Sequence, residues 1–155
     1  MLSRVADNLY WMSRYVERAE GVTRLVEVNR DTDLQFHANE NRRDYWQSAL
    51  SAMCAVDDFS SDEINDHELF ILFSKNWSSS VLTCINMARE NARMVRDQLS
   101  EEIWVELNNL YLFLNSPTLP EKFISDPENF FRRTIRFSLV FQGLADATIH
   151  HDEGW

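Results

Sequence analysis

On an α-helix, residues three or four apart meet on one face, and two stretches of this sequence place arginine and glutamate at those spacings. In RYVERAEGVTRLVEV, residues 14–28, Arg14 stands three before Glu17 and Glu20 four before Arg24, with Arg18 beside Glu17. In MARENARMVRD, residues 87–97, Arg89, Glu90, Arg93 and Arg96 share the arc opposite the apolar stripe. Such residues do one of two things. Left in water, each pair contributes about 0.2–0.5 kcal/mol and solvates a helix face. Enclosed between facing helices, a guanidinium fork holds a carboxylate or phosphate, and Glu17 or Glu90 can act on it as a base. Asn91 lies between Met87, Met94 and Val95, where a buried amide fixes helix register or reaches a ligand. Gly21 costs about 1 kcal/mol relative to Ala inside a helix, which points to close approach by a neighbouring backbone.

The other chemistry-bearing residues do not assemble into a site. Cys54 and Cys84 have no Cys-x-x-Cys spacing and stand among apolar residues, as two small buried hydrophobes in a reducing compartment would. In Ile149-His150-His151-Asp152-Glu153, neighbouring side chains on a helix diverge by about 100°. No Glu-x-x-His pair completes a metal site there, and the segment reads as a fraying acidic terminus. His37 and His67 lie in polar stretches. No Ser/His/Asp or Cys/His arrangement and no Gly-rich phosphate loop can be read, so no catalytic residue, metal or cofactor is assigned.

The elements that must position these residues follow from apolar spacing. Leu2, Val5, Leu9, Met12, Val16, Ala19, Thr23 and Val26 fall on one face of a first helix, capped by Ser3 and running to about Leu34. Trp46, Leu50, Met53 and Val56 mark a second helix. The segment DDFSSDEINDHE reads as a loop leading to a short third helix at LFILF. Residues 76–80 offer caps for a fourth, whose stripe is Val81, Ile85, Ala88, Ala92, Val95 and Leu99. Ser100-Glu101-Glu102 opens a fifth, with Ile103, Leu107, Leu110 and Leu114 inward. Pro117 and Pro120 mark a break over residues 116–125, and Asp126-Pro127-Glu128 starts a sixth. That sixth helix is apolar on two sides, Phe131, Ile135 and Leu139 against Phe137, Val140 and Leu144, so its second face is buried elsewhere in the fold or in another chain. The expectation is all-α: a bundle of about five or six helices forming a single domain over residues 1–155.

Bulk properties narrow the partners. The chain has 155 residues, 45% of them hydrophobic, with only three Gly and three Pro, which suits a folded helical protein. A net charge of −10 argues against nucleic acid and against anionic membranes, both of which attract basic faces. Lys75 and Lys122 are the only lysines among 15 basic residues, so arginine dominates, as internal ion pairs or an anion site would favour, though codon bias gives the same count. The opening residues lack a signal-peptide pattern and no apolar run spans a bilayer, so the expected location is cytoplasmic.

Three ordered blocks resemble one family. MLSRVADNLYWMSRYVERAEGVTRLVEV, ARENARMVRDQLSEEIWVELNNLYLFL and FFRRTIRFSLVFQGLADATIHHDEGW are similar to the N-terminal half of the Alpha-E domain, a bacterial all-helical domain of unknown function, with Glu17-Arg18 at its Glu-Arg motif. Family members usually continue past Asp-Glu-Gly-Trp into a second helical half, so this chain resembles a short version or a fragment. Trp77 stands where Pro is common, and the histidines before Asp152 depart from the pattern. The resemblance implies that Arg14, Glu17, Arg18, Arg89, Glu90, Asn91 and Arg93 form a polar network between helices or bind a ligand. It also implies company with ATP-grasp peptide-ligase-like and transglutaminase-like proteins in peptide synthesis or modification. The expected function is a non-catalytic accessory module, homodimeric and bound to such a partner. The alternative is an enzyme whose paired Glu and Arg process a carboxylate or phosphate in a pocket between the first and fourth helices.

Overall fold

A computed structural model describes residues 2–35 and 42–149. Its helices are α1 (Leu2–Gln35), α2 (Arg42–Ala52), α3 (Val56–Ser61), α4 (His67–Phe73), α5 (Val81–Met94), α6 (Glu101–Leu114), α7 (Leu119–Ser125) and α8 (Pro127–Ile149), with a 3-10 turn at Arg96–Gln98 between α5 and α6. The fold is all-α, with no strand among the described residues. Eight helices replace the expected five or six because α3 and α7 form inside segments that read as loops. In α7, Pro120 sits in the first turn, where a missing N–H costs nothing, and Leu119 and Phe123 are buried. In α3, Asp57 and Asp58 occupy the first turn and favour the positive end of the helix dipole. The polar stretch that opens at His37 falls largely outside the described residues, as does the 150–153 cluster.

The long α1 is the spine. Met12, Val16, Ala19, Thr23 and Val26 are buried as the spacing requires, while Val5 and Leu9 are half-buried. Ser3 lies inside the helix and is not its cap. One side of α1 packs mainly on α5, and another runs antiparallel to α8. Gln142 of α8 donates to Glu20 at 3.2 Å, and farther along α1 Glu27 shares a cleft with earlier α8 residues, from Glu128 to Leu139.

Local chemistry fixes the ends of the other helices. Ser80 Oγ and Ser100 Oγ accept from the backbone N–H of Thr83 and Ile103, capping α5 and α6. Asp126 Oδ1 accepts from Asn129 N and caps α8. At the end of α2 the chain turns through Cys54 at φ 53, with Cys54 N–H on Ser51 O and Ala55 N–H on Leu50 O. This is a Schellman stop, with cysteine where glycine is usual, and it ends the helix before the expected stripe reaches Val56. It also leaves Cys54 exposed, so only Cys84 is the buried hydrophobe the sequence suggested.

Between α3 and α5, Asp62 pins two loops together. Its carboxylate accepts from Ser74 Oγ at 2.6 Å and from Ile64 N at 2.9 Å, bonds that hold its pKa below the usual carboxylate value. Behind them Phe73, Phe123, Phe130 and Phe131 meet edge to face, with centroids 5.3–5.8 Å apart, joining α4, α7 and α8. A contiguous set of buried side chains links this cluster to α1, α2, α5 and α6. On α8, Phe131 and Phe137 are buried and Ile135, Val140 and Leu144 half-buried, but Leu139 is 56% exposed, so the face of Phe131, Ile135 and Leu139 is only partly covered. No helix among the described residues is long and apolar enough to cross a membrane.

Candidate functional site

The opening helix displays Arg14, Glu17 and Arg18 to solvent, whereas Arg30 farther along pairs with the half-buried Glu68 of α4. Arg14 donates to Glu17 at 2.8 Å with the two side chains 51% and 57% exposed, and Arg24 meets Glu20 at 2.9 Å. At that exposure the Arg14–Glu17 pair stabilises the helix by only about 0.2–0.5 kcal/mol, whereas Glu20 is only 14% exposed and also accepts from Gln142 of α8. Arg18 projects beside them, its guanidinium 5.8 Å from the Tyr15 ring centroid. Its positive charge reaches Cys84 on α5, but burial wins and pushes that thiol up to about 11. Around Gly21 there is open space: a Cβ there would meet nothing within 4 Å, so no backbone approaches and the glycine serves no packing need.

The arginines of α5 divide. Glu90 and Arg93 are exposed and pair with each other at 3.0 Å, a solvated i, i+3 bridge. Arg89 is not on a wet face. Its Nε donates to Asn108 Oδ1 at 2.9 Å, and its guanidinium lies 4.3 Å from the Tyr111 centroid and 5.4 Å from that of Trp104. With the side chain only 23% exposed, these contacts tie α5 to α6. Asn115 Nδ2 extends the seam by donating to Asn86 Oδ1 at 2.8 Å, and Arg96 lies over Trp104. Sequence reasoning missed Asn108 and Asn115. The available signal was Trp104, Asn108, Tyr111 and Asn115 at 4-3-4 spacing on the polar flank of α6. Asn91 makes no such cross-helix bond among the described residues and donates to Met87 O, one turn back in its own helix.

The structure thus brings together Arg14 with Glu17, and Arg89 with Glu90 and Arg93, but no described hydrogen bond or ion pair joins the α1 set to the α5 set. Apolar side chains lie exposed on the same two helices: Tyr10 and Trp11 on α1, Met87 and Met94 on α5. Tyr10, Trp11 and Tyr15 form a ladder of ring contacts at 5.3 and 6.0 Å. Two clefts open among the described residues, one between α6 and α8 and one between α1 and α8.

A family described as a predicted alpha-helical domain with a conserved ER motif, Alpha-E, matches residues 1–155. The chain belongs to the Alpha-E family. Glu17-Arg18 is the one Glu-Arg dipeptide in this Alpha-E sequence, and both residues face solvent on α1. Uncharacterized proteins of Mycobacterium bovis and Mycobacterium tuberculosis are each 26% identical to it over 175 aligned residues. Those alignments cover 98% of this chain and 20% of the relatives, so the chain spans about a fifth of the length of the curated proteins it matches. No solved structure gives a significant match.

Proposed function

We propose that this Alpha-E domain is a non-catalytic interaction module. It pairs with a second copy and acts beside an ATP-grasp peptide-ligase-like or transglutaminase-like protein in cytoplasmic peptide synthesis or modification. The observation that carries the reading is the exposure of Tyr10 and Trp11 on α1, the helix of self-paired Arg14 and Glu17, and of Met87 and Met94 on α5, which packs on α1. Aromatic residues, Met and Arg are the side chains that protein interfaces enrich, and the aromatic residues and Met are costly to leave in water. The partner class comes from the family resemblance, and the partly uncovered Leu139 face of α8 supports self-association.

Two measurements test this. Light scattering of the purified chain is expected to show a concentration-dependent dimer, and a clean monomer over a wide range removes self-association. Affinity capture from the native cells, followed by mass spectrometry, is expected to recover a ligase-like or transglutaminase-like protein with the wild type. Trp11→Ser with Met94→Ser is expected to lose it. Capture of the same protein by both forms contradicts the assignment of the surface.

A further inference from the structure

Among the described residues the arginines of α8, like Arg4, Arg18 and Arg96, form no ion pair. Arg14, Arg24, Arg30, Arg89 and Arg93 each meet a carboxylate. Arg132, Arg133 and Arg136 meet none among the described residues, although the chain carries 25 acidic residues. Arg132 and Arg136 are also four apart, where like charges repel. Arg133 lies with its guanidinium face 4.1 Å from the Phe113 centroid. That stacking leaves the N–H edge free to donate. Both Arg133 and Arg136 line a cleft of about 310 Å³ between α6 and α8, together with Glu106, Asn109, Leu110, Phe137 and Val140. The side chains of Glu106 and Arg136 take part in no hydrogen bond or ion pair among the described residues, so opposite charges face one cleft without neutralising each other.

We infer that this cleft binds a small zwitterion, an amino acid or a short peptide, with its carboxylate on Arg136 and Arg133 and its amino group on Glu106. The chemistry of the lining selects that class. Guanidinium forks match a planar carboxylate bidentately. Two arginines against one glutamate leave a local charge near +1, which suits a singly charged carboxylate better than a dianionic phosphate that Glu106 would repel. Asn109 offers an amide for a peptide group, and Leu110, Phe137 and Val140 form an apolar wall for a side chain. The volume is at the small end of ligand sites, enough for an amino acid or dipeptide. The inference does not rest on the partner proposed above, because the cleft lies on α6 and α8 while the Trp11 surface lies on α1 and α5.

The test is titration of the purified chain with glycyl-L-leucine, followed by NMR shifts of the methyl and ring signals of Leu110, Val140 and Phe137. N-acetyl-L-leucine, L-leucinamide and inorganic phosphate serve as comparison probes. Saturable binding of the dipeptide is expected, weakened about tenfold or more by removal of the carboxylate in leucinamide and by Arg136→Met. Arg136→Lys, which keeps charge but loses the fork, is expected to fall between. Glu106→Gln is expected to weaken the dipeptide and leave N-acetyl-L-leucine unchanged. No saturable shift with the dipeptide overturns the inference, as does binding indifferent to both Arg136 variants. Phosphate binding as tight as the dipeptide overturns the assigned class, and an unaltered dipeptide affinity in Glu106→Gln overturns the amino-group contact.

Discussion

Arg14 and Arg89 occupy comparable positions, each on the arc of its helix away from the main apolar stripe and each within reach of a glutamate. Arg14 ends in water, paired to Glu17, whereas Arg89 is folded under Tyr111 and Trp104 and bonded to Asn108. The difference lies in the neighbour. Among the described residues nothing lies within 4 Å of a Cβ built at Gly21 on α1, while α6 lies against the Arg89 arc of α5. A helical wheel gives the angle at which a charge leaves its helix, and the adjoining element decides whether that charge orders the fold or is displayed.

The largest test of this contrast is Arg89→Met. Losing a charge-assisted bond and two aromatic contacts, and stranding Asn108, is expected to cost about 1–3 kcal/mol in urea unfolding. A change as small as that expected of Arg14 breaks the comparison. Next is the alkaline limb of stability. The Cys84 thiol is held up to about 11 in the fold against an ordinary 9.0, so the folded state keeps its proton while the unfolded chain ionises. Its contribution is complete below about pH 9 and is lost as pH rises through about 11, on the order of 2–3 kcal/mol. Cys84→Ala is expected to flatten that limb, and an unchanged slope shows that burial does not govern the thiol. Smaller again is Gly21→Ala, which is expected to stabilise by about 1 kcal/mol because the face is bare. Destabilisation there would reveal a neighbour on α1. Least is Arg14→Ala, within about 0.5 kcal/mol of wild type by thermal melting.

How much of this was legible in the sequence depended on how local the determining physics is. The starts of α5, α6 and α8 were readable because Ser80, Ser100 and Asp126 act on backbone groups three residues away. The inward stripes of α1 and α6 were readable because one period places many residues at once. The end of α2 was not, because Cys54 takes a left-handed conformation that the sequence would announce only with glycine. Helix α7 was hidden because Pro120 breaks a helix interior yet suits a first turn, and the deciding burial of Leu119 and Phe123 comes from distant elements. The same limit applies to the polar residues. The short-range pairs of Arg14 and Arg93 followed from spacing, but Arg89 needed Asn108 and Tyr111, whose approach is tertiary. The α6/α8 cleft was invisible for that reason too: Glu106 and Arg136 are thirty residues apart and line one cleft only through packing.

Side-by-side urea unfolding of Arg18→Met and Arg89→Met tests most directly the claim that the opening Glu-Arg face is displayed while the α5 arginine holds the bundle together. Arg18→Met is expected to stay within about 0.5 kcal/mol of wild type and Arg89→Met to lose about 1–3 kcal/mol. Equal losses, or a larger loss from Arg18→Met, would contradict the account.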